Sequence, residues 1–580
     1  MTSKEIRQKF LNFFNERGHA IVKSSSLLPD DPSVLFTTAG MQQFKPYYVG
    51  QADPQKDFNS LNTTSVQKCI RTSDIDEVGD ERHLTFFEML GNFSFGYKPG
   101  EPRSPEGGYF KEDAITWGHE FITKVMGLKI DYVSIFKGED GVPEDVESER
   151  IWKSIDPNIE VRKFGRADNF WGPTGDEGPC GPTTEIYVDG IEIWNIVFNQ
   201  YYQHKDKSLE PLKTPGIDTG LGLERLVKVV QKVPTVFETD LFQPITGLIP
   251  EGVATRTKRI IADHLRAISF LISDDVLPSN KEQGYVLRRL IRRVMVYNHL
   301  NGGLFNFPIM FNTVISHYQD FYPELNGKAV SGAFEAESER FKKTLQNGLR
   351  ELDKTDRLTA ESAFKLYESF GLPYEIIKEL GGVKAGFLTR EDFDVEFKKH
   401  QEKSRAGVEK KFGGHGLLLD TGELKAKDQE ELDKVLRLHT STHLLQQALR
   451  DVLGPEVHQM GSDITAERTR FDFSFTRKMT PEEIKKVEDI VNAKIKEDLP
   501  MQYSELPKEE AEKTGALHFF KAKYPEKVKV YFMGKDLPSA YSKEFCGGPH
   551  VTHTGLIGDF KIVKEEGISS GVRRIRGVVI

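Results

Sequence analysis

The sequence predicts a multidomain α+β protein, and three observations carry that expectation. Over residues 1 to 240, short β-type runs such as VLFTTAG and EIYVDGIEIWNIVF alternate with helical stretches and Gly/Pro turns, which suits a domain built on an antiparallel sheet. From 241 to 425 apolar residues recur at helical spacing, in ATRTKRIIADHLRAISFLI, GYVLRRLIRRVMVYNHL and AVSGAFEAESERFKKTLQNGLRELDK. After a Gly-containing hinge, KKFGGHGLLLDTGELKAKDQEELDK, residues 426 to 580 follow a third pattern of helix, strand, helix and short strands. A chain of 580 residues accommodates three such domains at ordinary size.

Composition narrows the class. A hydrophobic fraction of 38% with 29% charged residues suits a soluble protein. No run approaches the roughly 20 apolar residues that cross a bilayer. The N-terminal segment places Ile6, Phe10, Phe13 and Phe14 at helical spacing among charges, without the apolar core of a signal peptide. Cys69, Cys180 and Cys546 are too few and too scattered for a disulfide framework, so a reducing cytoplasm is expected. A net charge of −9 speaks against wholesale coating of nucleic acid and requires any RNA ligand to find a local basic surface. Arg288, Arg289, Arg292 and Arg293 in YVLRRLIRR fall in pairs one turn apart and offer one, although a solvated helix face is the plainer reading.

The N-terminal chemistry starts with LTFFEMLGNFSFG (84–96). Adjacent Phe86 and Phe87 on a strand point to opposite faces, so one of them can meet a flat ligand. Arg71, in KCIRTSD, can grip a phosphate with its forked donors. The Gly/Pro-rich stretch around Trp171, NFWGPTGDEGPCGPTTE, reads as a shaped loop and not a regular element. Asn195 lies in an apolar strand and needs a partner, in the core or on a ligand. In GIDTGLGLERL the glycines admit close backbone approach, and Arg225 follows at a helix start.

FTTAGM, KCIR, TFFEMLGNFSFG, GPCGP, EIWN and DTGLGLER, in this order, resemble the catalytic domain of the alanyl-tRNA synthetases, a class II family that uses ATP to join alanine to its tRNA. The resemblance implies that Arg71 holds the α-phosphate and that Arg225 lies against adenine and the triphosphate. His83, Phe87, Glu88, Met89 and Gly222 join the nucleotide site, and Trp171, Ile193 and Trp194 line the nucleotide and alanine pocket. Asp218 binds the ammonium of alanine, with Asn195, Val197 and Gly220 beside it, and Mg2+ assists. The chain has His83-Leu84 where the family usually has His-His.

In the middle region, Asn280 stands where the family reads the G·U wobble pair of the acceptor stem, and Arg288 to Arg293 belong to the same recognition helices. The family's second reader is an aspartate in LYDTYGFP; here LYESFGLP puts Glu368 in that place.

Near the C-terminal end, HTSTH sets His439 and His443 on one helix face, and CGGPH adds Cys546 and His550 from a Gly-rich turn. Two imidazoles from a helix with a Cys–His pair from a loop make four candidate ligands for tetrahedral Zn2+. This stretch, from about 435 to 580, resembles the editing domain shared by alanyl- and threonyl-tRNA synthetases. The resemblance implies hydrolysis of Ser- or Gly-mischarged alanine tRNA, with Gln459 in the pocket and Pro549 replacing the usual Thr of CGGTH. The family's β-barrel ahead of the His pair and its C-terminal coiled coil are not evident, so a compact monomer is expected. Two rivals are disfavoured: a free-standing editing hydrolase by the complete N-terminal motif set, and a non-catalytic relative that binds RNA or regulates by the retention of Arg71, Asp218 and Arg225. Charging with weakened or lost editing stays open.

Overall fold

The computed structural model describes residues 1–580 except 32, 101–106, 174, 400–416, 419–424, 427–428, 476, 519–526 and 570. Two units emerge, Met1–Thr389 and Arg390–Ile580. Most of the hinge expected around 410–434 lies outside the described residues.

Unit one is organised by a mixed sheet. Its strands are β1 (Ala20–Ile21), β2 (Asn62–Ile70), β3 (Phe86–Ser94), β4 (Tyr132–Phe136), β5 (Val161–Phe164), β6 (Phe170–Trp171), β7 (Gly178–Val188), β8 (Ile191–Gln203) and β9 (Leu209–Gly222). They run in the order β1-β2-β3-β9-β8-β7-β4-β5, with β6 paired to β7. The central ladders are antiparallel, as expected, while both outer pairs, β1–β2 and β4–β5, are parallel. Helix α1 (Ser3–Asn15) starts on a Thr2/Glu5 capping box and buries Ile6, Phe10, Phe13 and Phe14.

The Gly/Pro-rich stretch expected as a loop becomes strand β7 from Gly178 onward. Its ladder with β8 shifts register between Cys180 and Thr183. A Cβ at Gly181 would lie 1.8 Å from the Phe198 carbonyl oxygen. The glycine therefore permits a close backbone approach at an irregularity, where Gly and Pro are tolerated within a sheet.

The rest of unit one is helical. The helices that frame the sites are α2 (Leu223–Gln231), α3 (Thr255–Ser273), α4 (Glu282–Leu300), α5 (Gly327–Lys354), α6 (Ala360–Phe370) and α7 (Tyr374–Gly381). Unit two contains α8 (Gln429–Leu453), α9 (Pro481–Lys496) and a short antiparallel pair, β10 (Leu417–Leu418) with β11 (Lys425–Ala426). It also holds a four-stranded sheet of β12 (Gln459–Ile464), β13 (Thr469–Ser474), β17 (Phe560–Ser569) and β18 (Val572–Val579). A three-stranded sheet comprises β14 (Met501–Pro507), β15 (Lys527–Met533) and β16 (Ser542–Phe545). Its main core gathers Leu444, Leu445 and Leu449 of α8, Val487 and Val491 of α9, and Phe471 and Phe473 of β13. No helix among the described residues is long and apolar enough to cross a membrane.

Candidate active site and metal centre

Cross-strand register builds the first site. In the β8–β9 ladder Asn195 stands opposite Gly220 and Val197 opposite Asp218; Glu185 of β7 faces Asn195, and Met89 of β3 faces Gly222. Side chains repeat every second residue along a strand, so these positions share one face. They line a cleft of about 300 Å³ with Arg71, His83, Phe87, Trp171, Ile193 and Arg225. A Cβ at Gly220 would come within 2.9 Å of Met89 Sδ, so glycine there keeps the floor open.

The cleft lining includes aromatic and cationic groups. The Arg71 guanidinium lies over the Phe87 ring, 4.9 Å from its centroid. Arg225 projects from the first turn of α2 and donates to Glu192 Oε2 (2.8 Å) and to the Glu192 carbonyl (2.9 Å). His83 sits 2.6 Å from Asp80 through Nδ1.

The lining also includes buried acids. Asp218 is 5% exposed, and among the described residues nothing hydrogen-bonds or ion-pairs with it. Burial alone pushes its carboxyl up to about 7. Glu185 is also pushed up to about 7, by burial first and by Glu192 second. Asn195 donates to Glu185 Oε1 (3.1 Å). Asn195 Oδ1 and the indole N–H of Trp171 are buried without a partner among the described residues. Buried polar atoms are normally satisfied, so an acid, an amide oxygen and an indole donor left open in one cleft fit a polar ligand.

The second site lies in unit two. His439 and His443, one turn apart on α8, meet Cys546 and His550 from the turn after β16. One ligand atom from each residue lies within 4.8 Å of the others. Cys546 Sγ is 3.5 Å from His439 Nε2 and 3.3 Å from His550 Nε2. The remaining ring nitrogens are engaged behind the cluster: His439 Nδ1 is 3.0 Å from the Pro549 carbonyl, His550 Nδ1 3.3 Å from Thr440 Oγ1, and His443 Nδ1 3.3 Å from Glu544 Oε2. Burial lowers His439 to about 4 and holds His443 and His550 well below the usual imidazole range. Neutral imidazoles beside a thiol, each held from behind, are the donor set that suits zinc, with metal–ligand distances of about 2.0–2.3 Å. Gly548 has φ +67°, and a Cβ there would lie 2.3 Å from Tyr531 Oη, so glycine is required in this turn.

Residues 5–448 match the family model described as "tRNA synthetases class II (A)", and 528–576 match "Threonyl and Alanyl tRNA synthetase second additional domain". The chain is 42% identical to a protein named alanine–tRNA ligase from Borrelia hermsii, with all of both chains covered. It is 42% identical to one so named from Treponema denticola, covering 100% of this chain and 99% of the other. A third, from Thermotoga maritima, is 37% identical over all of this chain and 80% of its own length. The chain belongs to the alanine–tRNA ligases.

In this member of the ligase family, twelve residues expected from the sequence converge on the cleft: Arg71, His83, Phe87, Met89, Trp171, Ile193, Asn195, Val197, Asp218, Gly220, Gly222 and Arg225. Two others do not. Glu88 alternates away from Phe87 and Met89 and is fully buried behind the sheet. There Arg7 binds it through two nitrogens, one at 2.8 Å, and Tyr322 donates to it at 2.8 Å. Burial raises its carboxyl, and Arg7 with Arg266 more than reverses this, leaving it below its ordinary value. Trp194 alternates away from Ile193 and Asn195 and packs against Phe10, Phe14 and Phe121 with centroids 5.8–6.3 Å apart.

The four arginines of α4 do not form one basic surface. Arg293 is fully buried and Arg289 nearly so, with Arg289 paired to Asp76 and Glu375. Arg288 and Arg292 are turned towards Glu337 of α5. Exposed Asn280 accepts from Arg288, and Glu368 is exposed on α6. Tyr367, next to Glu368, meets Tyr285 of α4 ring to ring at 6.1 Å, so Asn280 and Glu368 belong to neighbouring elements.

Sequence reasoning missed Glu185 and Glu192 in the cleft; pairing of Glu185 with Asn195 is the signal that finds the first. It also missed Glu544 and Gln446 behind the His/Cys cluster. Gln446 lies three residues after His443 and so shares its helix face. Its amide nitrogen, facing the acceptors around it, reaches Glu544 at 3.1 and 3.2 Å and Gln459 Oε1 at 3.2 Å. Gln459 is thereby linked to the cluster through two side chains.

Proposed function

We propose that this chain joins L-alanine to alanine tRNA through alanyl-adenylate and hydrolyses Ser- or Gly-mischarged alanine tRNA at its His/Cys centre. The observation that carries the first half is the buried, unpartnered Asp218 in a cleft whose lining also holds Arg71 over Phe87. An unpartnered carboxylate is costly unless an ammonium completes it.

Asp218 takes the ammonium of alanine, while Asn195 and Trp171 orient the small substrate and Val197 limits the space around its methyl group. Phe87 offers its face to adenine, and Arg71 and Arg225 neutralise the phosphates, with His83 and Met89 at the rim. An alanine carboxylate oxygen then attacks the α-phosphorus, and the bond to the β-phosphate oxygen breaks, releasing pyrophosphate. The terminal ribose hydroxyl of the tRNA next attacks the alanyl carbonyl, forming the ester and expelling AMP. The residues act by positioning and charge neutralisation, because the carboxylate itself is the nucleophile. Mg2+ supplies further positive charge to the phosphates.

Residues 1–240 serve activation, 241–425 acceptor-stem recognition and 426–580 editing. Asn280 and Glu368 read the G·U wobble pair from the RNA minor groove, where an amide and a carboxylate can bond to base edges. Arg288 orients Asn280. In the editing half, His439, His443, Cys546 and His550 would hold Zn2+, which would supply Lewis-acid charge for ester hydrolysis. Gln459 contacts the mischarged aminoacyl group. The protein acts as a cytoplasmic monomer.

Alanine-dependent exchange of pyrophosphate into ATP tests activation, and deacylation of Ser-tRNA tests editing. Loss of the first assay alone in Asp218→Ala, and of the second alone in His443→Ala, supports two separate sites. Loss of both activities in both variants contradicts them.

A further inference from the structure

The loop from Arg71 to Thr85 joins β2 to β3 and supplies Arg71, Asp74, Arg82, His83 and Leu84 to the cleft wall. A backbone bond from Arg71 N to Thr85 O (3.0 Å) closes it at the sheet. Beyond that bond, the helical region of the same unit holds it.

The hold has two branches. In the first, the Thr85 amide donates to Asp263 Oδ1 (2.9 Å), and Asp263 Oδ2 lies 2.8 Å from His264 Nδ1. His264 Nε2 lies 3.2 Å from Arg293 Nη1, which also donates to the Ile75 carbonyl at 2.6 Å. Asp263, His264 and Arg293 are fully buried. In the second, Arg289 bridges Asp76 of the loop to Glu375 of α7. Gly79 presses against α3 as well: its φ is +116°, and a Cβ there would come within 2.8 Å of Arg256 and 3.0 Å of Ile260. A loop of polar sequence would ordinarily move on its own. This one is closed by a backbone bond and tied at Thr85 and in its middle by charge-assisted bonds, which are the stronger kind.

The groups expected to bind alanine stand elsewhere. Asn195, Val197 and Asp218 lie on β8 and β9, fixed by their ladder.

We propose that Arg289 and Arg293 are positioning residues for the nucleotide: they hold the 71–85 loop so that Arg71 and His83 meet ATP, and they leave the alanine subsite alone. This rests on the ATP-binding reading of the cleft. It also gives the arginine-rich helix a division of labour. Its inward pair braces the nucleotide loop, while Arg288 and Arg292 brace Asn280 and the end of α6 through Glu337 and the Gly371 carbonyl.

The test is pyrophosphate exchange with the full chain, normalised to active sites, with KM for ATP and for alanine measured separately. Asp76→Ala is the lead variant because its side chain is 32% exposed and its removal opens no core cavity. Arg289→Gln, the double variant and Arg293→Lys accompany it. A misplaced phosphate-binding group commonly costs one to two orders of magnitude. The expected result is a rise of about tenfold in KM for ATP in Asp76→Ala and in Arg289→Gln. The double variant should be no worse than Arg289→Gln alone, because Asp76→Ala removes only the contact that Arg289→Gln already lacks, and KM for alanine should stay within about twofold. Unchanged KM for ATP in Asp76→Ala, or equal rises for both substrates, overturns the proposal. So does a fall in active-site content alone, which is what a purely structural contact produces. Absence of exchange in the unmodified chain instead overturns the ATP-binding reading, so the two failures are distinguishable.

Discussion

Asp218 stands directly opposite Val197 in the β8–β9 ladder, a buried carboxylate facing an apolar side chain with no cation among the described residues to balance it. Its proton is retained to about pH 7 in the folded chain, whereas an exposed carboxyl loses it near 3.8. Above pH 3.8 the unfolded chain ionises freely, so the native state loses stability as pH rises through 7. The full difference corresponds to about 4 kcal/mol, an upper bound because the cleft is open to water. Asp218→Asn should therefore raise the thermal midpoint at pH 8 and raise it by less than half as much at pH 5, where only part of the difference has developed. An equal effect at both values would mean that the carboxylate is not strained.

The same group sets a pH dependence for substrate. Only the ionised carboxylate pairs with an ammonium, so KM for alanine should climb as pH falls below about 7, by roughly tenfold per pH unit at the limit. KM for ATP should change less over that range. Steady-state exchange kinetics between pH 5.5 and 8.5 measure both. A flat alanine profile would remove Asp218 from this role.

Glu88 makes a different demand. Glu88→Gln leaves Arg7 buried beside a neutral amide, and breaking a buried pair costs about 3–5 kcal/mol. Denaturant unfolding of unit one should show that loss, with KM values of the surviving enzyme near those of the parent. A large change in KM for ATP with intact stability would instead return Glu88 to the nucleotide site.

These two positions mark what could be read from sequence. The alternation of β3 foretold that only one of Phe86 and Phe87 faces a ligand, and the same rule places Met89 in the cleft with Phe87. That Glu88 is internal depends on Arg7 and Tyr322, 81 and 234 residues away. No local pattern carries such a pairing. Trp194 is concealed in the same way by Phe10 and Phe121. The arginines of α4 illustrate a third limit. Helical spacing shows which of them share a face but not what packs on it, and here both faces are occupied, by Asp76 with Glu375 and by Glu337. The His/Cys cluster was legible because its side chains, spacing and turn residues all express one geometry, whereas Glu544 and Gln446 behind it have no such signature.

For the second unit, Cys546→Ser and His443→Ala should each lower bound zinc from about one equivalent to a small fraction, read by metal analysis after dialysis. Deacylation of Ser-tRNA should fall with it, while exchange and charging with alanine persist. Full zinc content in both variants would exclude the cluster as its site.

For RNA recognition, replacing the acceptor-stem G·U pair by G·C should lower kcat/KM for charging by at least about tenfold, the scale of one lost buried hydrogen bond. Glu368→Asp should alter that ratio and leave exchange unchanged. Equal charging of both RNAs by the parent chain would contradict the roles of Asn280 and Glu368.

The proposed activation of alanine by ATP, with Asp218 as the ammonium partner, is open to direct measurement. Pyrophosphate exchange is followed in the full chain with alanine supplied or withheld. Exchange is expected only with alanine present, and it should be lost in Asp218→Asn protein that stays folded. No alanine-dependent exchange, or undiminished exchange in that variant, would contradict it.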